Sequence, residues 1–447
     1  MSAEAIFEPL RFRNLEVKNR IFRSNVSGRF DLYDGTGTQA RINWELKFAR
    51  GGVGAILSSW TGVHRRGRIV PNFAMIDRDD RVPFWRELGK EVHEHGCAYI
   101  LQLAHGGRQR DISGIEFPSG LSSTGKRDPV NGFAAERASA EHLRDVVQAF
   151  AAGARRAREA GLDGVEIHGA NGYLFTQFLS SAINDRKDDY GGSLENRARL
   201  LLDTVRAIRR EVGDDFHLQV KISAREDGNA FLPWLKRGNS LEDAVQVSRW
   251  LEEAGVDGIH VSAGTSFPHP RNPAGGLPLQ EVWANYDGLI SSGRYVFRNY
   301  LLYRTPLVRD IMRRRWETPA GDVEGSLLPA ARAIKEAVSI PVLCTGGFQT
   351  LSVVEGALEQ GDCDAVTIAR SLLANPDLVE LWRAGRDRPP RPCSFCNKCL
   401  FNLLENPIGC YDERRYATRE EMVAEIYSVF DPPPFTAAPE AGRATPT

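Results

Sequence analysis

The sequence predicts an α/β chain folded as a (β/α)8 TIM barrel, with a long insertion after the sixth strand and a cysteine-containing C-terminal extension. Three observations predict it. From residue 19 onward short β-rich apolar runs alternate with polar loops and amphipathic helices, the pattern of parallel strands joined by helical crossovers. The alternation supplies eight candidate strands, the number that closes a parallel barrel rather than extending an open doubly wound sheet. In Gly164 to Leu179, GVEIHGANGYLFTQFL, the apolar run with Val165 and Ile167 leads directly into His168, Asn171 and Tyr173, so polar side chains stand at the carboxyl end of a buried strand. Barrel enzymes keep their chemistry at that end.

The candidate strands are Arg20 to Asn25, Val53 to Ser58, Ala98 to Leu103, Gly164 to His168, Phe216 to Ile222, Gly258 to Ser262, Val342 to Thr345 and Ala365 to Ala369. Helices such as Ser139 to Ala160 and Glu195 to Val212 carry apolar residues at helical spacing on one face, and they stop at Gly161 and Gly213. The barrel is expected to occupy residues 1–386, interrupted at 265–324 by a stretch that opens with SFPHPRNPAGGLPLQ and is too long for an ordinary connection. That stretch emerges on the catalytic face. With Trp283, Tyr286, Tyr295, Phe297 and Tyr300 it reads either as a lid or pocket wall or as a surface excursion packing its own aromatics. Residues 387–431 form the cysteine-rich extension with the helix-like TREEMVAEIYSVF, and the Pro/Ala-rich residues 432–447 read as a disordered tail.

A chain of 447 residues with 42% hydrophobic and 26% charged residues buries a large core. Lys and Arg total 57 against 58 acids, and a net charge of -1 points to neither a nucleic-acid nor an acidic-membrane partner. The runs Arg155–Arg156 and Arg313 to Arg315 read as solvated helix faces. No apolar stretch approaches the roughly 20 residues a bilayer crossing needs, and MSAEAIFEPLRFRNLEV has no apolar run behind a basic segment. The expectation is a soluble cytoplasmic protein acting on a small molecule, with homo-oligomer formation left open. Cys97, Cys344 and Cys363 are isolated in apolar surroundings and read as buried hydrophobes. Cys393, Cys396, Cys399 and Cys410 are clustered, which in a cytoplasmic chain reads as metal binding before disulfide.

His168 and Asn171 can each donate a hydrogen bond to one acceptor oxygen, and the phenol of Tyr173 can deliver a proton. The set suits polarising a carbonyl and then protonating a carbon. Taken singly, each residue reads more plainly as a satisfied turn histidine or a packed tyrosine.

HGANGYLFTQFLS continues into Asn184, Asp185, Arg186, Asp189, Tyr190, Gly191, Gly192, Ser193, Leu194, Glu195, Asn196 and Arg197, and this segment resembles the old yellow enzyme family of FMN-dependent oxidoreductases. The resemblance runs from about residue 6 to about residue 430. It implies FMN lying across the barrel mouth. KNRIFRSNVSGRF is similar to the family's first flavin segment, with Ser24, Asn25 and Val26 supplying backbone contacts and Ser27 where relatives place Thr or Cys facing the ring. LQLAHGGRQ resembles the strand whose Gln, here Gln102, meets the flavin pyrimidine edge, with His105 and Arg108 following. In LQVKISARED, Lys221 stands where many relatives carry Arg beside flavin N1. Gly346 and Gly347 of CTGGF, with Ala369 and Arg370 of AVTIARSLLANPDL, resemble the family's phosphate site.

The family's chemistry implies that NAD(P)H enters the same pocket to reduce the flavin, so no separate dinucleotide fold is needed, and no glycine-rich segment here opens one. His168 and Asn171 followed by Tyr173 resemble the ene-reductase branch. CSFCNKC, then Cys410 after ten residues, resembles the cluster-binding segment of the dienoyl-CoA reductases and trimethylamine dehydrogenases, which holds a [4Fe-4S] cube. Those relatives carry further C-terminal domains, so zinc and reduced structural thiols remain open beside the cube. An ene-reductase is the leading expectation. An amine-dehydrogenase-like flavoenzyme and an electron-transfer flavoprotein working through the cysteines are the alternatives.

Overall fold

A computed structural model describes residues 5–430 apart from 110–116, 129–131, 227–237, 265–271, 290–293 and 404–405. The expected tail at 432–447, the opening of the insertion and the side chains of Tyr286 and Tyr295 lie outside the described residues.

Eight parallel strands close on themselves. They are β1 (Ile21–Arg23), β2 (Ala55–Leu57), β3 (Ala98–Ala104), β4 (Gly164–Gly169), β5 (His217–Arg225), β6 (Gly258–Ala263), β7 (Val342–Thr345) and β8 (Ala365–Ile368). Each pairs with the next, and β8 returns to β1 through Val366 with Ile21 and Ile368 with Arg23. All eight expected strands are present, with ends displaced by a residue or a few.

Alternation along the strands sorts side chains into two cores. Val165, Ile167, Leu218, Val220, Ile259 and Val261 point outward and are buried against the helices. The inward residues form layers. At the bottom Phe22, Ala55, Leu57, Ile100, Leu343 and Ala365 pack with Leu10, Phe12 and Val17 of a short antiparallel ribbon, Leu10–Arg11 with Glu16–Val17, which plugs that end. Above them come Gln102, Glu166, Gln219, His260 and Thr367, all fully buried. A third layer includes His168 and Lys221, which are register neighbours across β4 and β5.

The helices that cover the barrel are α1 (Gln39–Arg50), α2 (Val82–His93), α3 (Ala140–Glu159), a short α4 (Leu174–Leu179), α5 (Leu194–Val212) and α6 (Leu241–Glu253). The insertion supplies α7 (Leu279–Leu289), α8 (Arg294–Arg304) and α9 (Pro306–Trp316). Then come α10 (Leu328–Lys335), α11 (Leu351–Glu359), α12 (Arg370–Ala374), α13 (Leu378–Arg383), α14 (Lys398–Asn402) and α15 (Arg419–Tyr427). Ser139 caps α3 by accepting from the His142 backbone amide, and His142 closes the capping box. Among the described residues no helix is long and apolar enough to cross a membrane.

The insertion and the cysteine extension, which read as separate excursions in the sequence, pack on one another. Leu277, Leu279, Val282, Tyr303, Met312 and Trp316 form a satellite core, and Phe401 of α14 packs against it. Lys398 pairs with Glu281 at 3.0 Å, and Asn397 Nδ2 donates to the carbonyls of Pro273 and Gly276 at 3.2 and 3.0 Å. Trp283 belongs to this satellite core, Phe297 is exposed, and Tyr300 lies beneath the Arg304 guanidinium. Asn272 and Pro273 of the same stretch border the cavity at the barrel mouth. Beyond α15 the chain docks on α1, where Asn43 Nδ2 donates to the Val429 carbonyl at 2.9 Å.

Candidate active site

A cavity of about 250 Å³ opens at the carboxyl end of the barrel. Ser24, Asn25, Val26, Ser27, His168, Asn171, Tyr173, Lys221, Gly347, Ala369 and Arg370 all border it. These expected residues come from β1, β4, β5, β7 and β8 and from the loops that follow them, so distant segments converge as the barrel topology requires. Gln102 and Gly346 stand behind the wall, Gln102 one inward step beneath Ala104 on β3. Thr345 of β7 and Ser262 of β6 complete the polar floor.

His168 ends the apolar run of β4 on its inward side. Its Nδ1 accepts from the backbone amide of Ala170 at 3.4 Å, which leaves the ring proton on Nε2. Burial, reinforced by the Lys221 charge, pushes its pKa well below the usual histidine range, so the ring is neutral. Asn171 adopts a φ of 58°, a left-handed turn in which asparagine is tolerated, and Tyr173 then leads into α4. The rings of His168 and Tyr173 meet edge to face with centroids 4.7 Å apart. Burial pushes the Tyr173 phenol above its ordinary range, so it keeps its proton at neutral pH. Asn171 Nδ2 donates to the Ala263 carbonyl at 2.7 Å and reaches Ser262 Oγ and Asn272 Oδ1 only at 3.4 and 3.5 Å. One amide hydrogen is therefore committed to the end of β6, and the other has only long partners.

Lys221 donates from Nζ to Asn25 Oδ1. Burial lowers its pKa to about 8, and the nearby Glu166 carboxylate opposes the shift. Ser27 Oγ accepts from the Trp60 backbone amide at 3.0 Å, which fixes the β1 loop against the loop after β2. At the opposite end Gly347 has a φ of +70°, and a Cβ there would lie 2.8 Å from Val323 Cγ1. Only glycine fits, and the backbone faces the cavity without a side chain between. Arg370 begins α12. Its Nη1 donates to the Ala274 carbonyl at 2.6 Å and to Asn397 Oδ1, and its guanidinium lies 5.0 Å from the centroid of the Phe395 ring.

Arg370 and Leu373 border a second cavity, of about 20 Å³, walled by Cys393, Cys396, Cys399 and Cys410. The four cysteines thus converge as the spacing predicts. They are free, and burial pushes the thiols of Cys393 and Cys399 up, and that of Cys410 up to about 11. Among the described residues no three His, Cys, Asp or Glu side chains gather closely enough to hold a single metal ion.

Sequence reasoning missed two features of the site. The first is the apolar wall of Trp60, Ile69, Val70, Phe73, Phe133 and Leu403, which comes from loops without a motif. The second is the polar layer beneath the cavity, centred on Glu166. Its signal was present in the period-two alternation of VEIH, which places Glu166 on the same face as His168.

The profile of the NADH:flavin oxidoreductase / NADH oxidase family matches residues 5–269. That of dihydrouridine synthase matches residues 318–420, which hold β7, β8 and the clustered cysteines. An NADH oxidase of Thermoanaerobacter brockii is 28% identical over 436 residues, covering 94% of this chain and 59% of that protein. An NADPH dehydrogenase of Geobacillus sp. (strain WCH70) is 35% identical over 343 residues, covering 73% of this chain and 96% of that protein. A solved structure of a 2-naphthoyl-CoA reductase with 2-naphthoyl-CoA has a TM-score of 0.75 at 23% identity over 92% of this chain and 57% of that one, a likeness of fold. The chain spans less than two thirds of the first and last of these relatives. With the profile match extending from the first described residue through β6, the chain belongs to the NADH:flavin oxidoreductase / NADH oxidase family, that of the old yellow enzymes.

Proposed function

We propose that this chain is an FMN-dependent oxidoreductase that uses NAD(P)H to reduce electron-poor carbon-carbon double bonds conjugated to a carbonyl or related group. The observation that carries the reading is the pairing of a neutral His168 with a protonated Tyr173, rings 4.7 Å apart, on one cavity. The residues present fit FMN: Gly347 leaves bare backbone for a phosphate, and Lys221 offers a cation on the cavity wall. Held by these residues and reduced by NAD(P)H, FMN would supply the hydride that reduces the double bond.

The chain's own part is to bind, polarise and protonate. His168 Nε2–H and the uncommitted hydrogen of Asn171 hold the substrate oxygen and stabilise the charge that develops on it. Tyr173 gives its proton to the α carbon. Trp60, Phe73 and Phe133 exclude water and favour flat, apolar substrates. The test is stopped-flow kinetics on Tyr173→Phe. Reduction of bound FMN by NADPH stays near the wild-type rate, while reoxidation by a cyclic enone slows by about 100-fold or more. Reoxidation at the wild-type rate would sink the reading.

A second reading is favoured by one observation: Arg370 and Leu373 wall both cavities. We propose that the four cysteines hold a [4Fe-4S] cluster, which suits their number and chemistry and would provide an exit for electrons.

A further inference from the structure

Two helices of the insertion carry a surface that the reaction proposed above does not use. Residues 294–316, which form α8 and α9 with Thr305 alone between them, hold seven arginines against a single acid, Asp310. The net charge of -1 over the whole chain conceals this concentration. The same two helices hold four of the nine large hydrophobic side chains that stand exposed among the described residues: Leu307 at 73%, Ile311 at 57%, Phe297 at 51% and Leu301 at 50%. An exposed apolar residue standing singly is ordinary, but four gathered on one short basic segment are not.

One pattern repeats on both helices. In α9, Leu307 and Ile311 are four residues apart and share a face, while Met312 and Trp316, also four apart, share the face buried in the satellite core. At about 100° per residue, Arg314 falls on one edge of the Leu307–Ile311 stripe and Arg315 on the other. In α8, Phe297 and Leu301 make the corresponding stripe, with Arg298 on one edge and Arg304 on the other, and Tyr303 is turned into the core. All four of these edge arginines are exposed. A helix that lies in the headgroup region of an anionic bilayer presents this arrangement: its aliphatic side chains enter the acyl boundary, and arginine stems run along the apolar layer and lift their charges to the phosphates. A nucleic acid would match the arginines but would leave the aliphatic stripes nothing to bury against. The cavity that Asn272 and Pro273 of the same insertion help to wall is itself largely apolar, as suits a molecule that dissolves in lipid.

We propose that α8 and α9 form a peripheral docking surface for a bilayer containing anionic phospholipid, with Phe297, Leu301, Leu307 and Ile311 entering the headgroup boundary and the flanking arginines pairing with the phosphates. At eleven residues each the two helices lie on the bilayer and do not cross it. None of these residues borders the cavity, so the docking surface and the flavin reading stand or fall separately.

The experiment is co-sedimentation of the full chain with vesicles of phosphatidylcholine alone and of phosphatidylcholine mixed equally with phosphatidylglycerol. The wild-type chain is expected to bind the mixed vesicles about tenfold or more tightly than the neutral ones and to lose that preference at high salt. Leu307→Ser combined with Ile311→Ser is expected to weaken binding to the mixed vesicles about tenfold, and Arg314→Gln combined with Arg315→Gln by about tenfold or more, with the Tm of each unchanged. Phe297→Ser combined with Leu301→Ser carries the same decision on α8 if the α9 variant does not fold. Binding that needs the arginines but not the aliphatic pairs is adsorption by charge alone and overturns the proposal. Absence of binding to either vesicle overturns it as well. So does tighter binding to soluble polyglutamate than to the mixed vesicles, which would give the face to an acidic protein. A dimer in light scattering that the Leu307→Ser, Ile311→Ser variant abolishes would give the face to a second copy and overturn it too.

Discussion

At His168 the proton is placed by the chain's own turn: the Ala170 amide occupies Nδ1, and burial, reinforced by the Lys221 ammonium, keeps the ring neutral. Lys221 is itself poised. With its pKa near 8 in the flavin-free protein, the cation is present below that pH and is lost above it. FMN affinity is therefore expected to fall as the pH rises through about 8, and Lys221→Met should flatten the profile; fluorescence titrations at several pH values check both. Glu226 gives a second pH effect, on stability. Burial pushes its carboxyl up to about 7, although Ser180 Oγ and the Asn239 amide donate to it at 2.6 and 2.8 Å. Between its ordinary 4.5 and about 7 the folded chain holds a proton that the unfolded chain releases, so stability falls as pH rises across that window and levels off above it. Glu226→Gln removes this component, and the Tm difference between about pH 5 and about pH 7.5 should narrow. The closely spaced His168, Asn171 and Tyr173 were legible in the sequence because one strand end and the turn after it carry all three. The face of Glu166 was legible in the alternation of VEIH but its partners were not, and Glu226 was not legible at all, because its significance lies in burial and partners that sequence does not display.

At the scale of elements, the barrel was readable because each strand combines an apolar run with a helix on its far side, and the eight expected strands differ from the observed ones only near their ends. The insertion was not, because its partner is a segment far away in sequence. Trp316 of α9 is buried in the satellite core that also receives Phe401 of α14, and α14 begins two residues after Cys396. Trp316→Ala, with a cost of about 3–5 kcal/mol to that core, is expected to loosen the cysteine loop. Faster reaction of Cys396 with a thiol reagent, with far-UV dichroism unchanged, would show it; an unchanged rate would mean that the two segments hold independently. The turn after β7 makes a more local demand. Gly347→Ala is expected to cost about 1–2 kcal/mol for the left-handed backbone, before the clash with Val323 is counted, and denaturant unfolding measures it.

Across the whole molecule the two cavities share a wall. The Arg370 guanidinium is bound to Asn397 of the cysteine loop, stacks on Phe395 and borders the space beside Gly347, so the geometry of one site is set partly by the other. Coupling of this kind is reciprocal: whatever orders the cysteine loop also orders the end of the pocket where a phosphate would rest. Anaerobically purified protein is expected to hold about four iron atoms per chain, with a broad absorption shoulder that dithionite bleaches beyond the flavin's own loss. Cys396→Ser should lose the iron and, because Arg370 is then less firmly held, bind FMN about fivefold more weakly. Arg370→Lys should cut the difference in FMN affinity between iron-loaded and iron-free protein, since a lysine cannot bridge Asn397 and the Ala274 carbonyl with a planar fork. Iron-free Cys396→Ser with wild-type FMN affinity would mean that the shared wall transmits nothing. One zinc per chain in place of iron would overturn the cluster reading of the four cysteines.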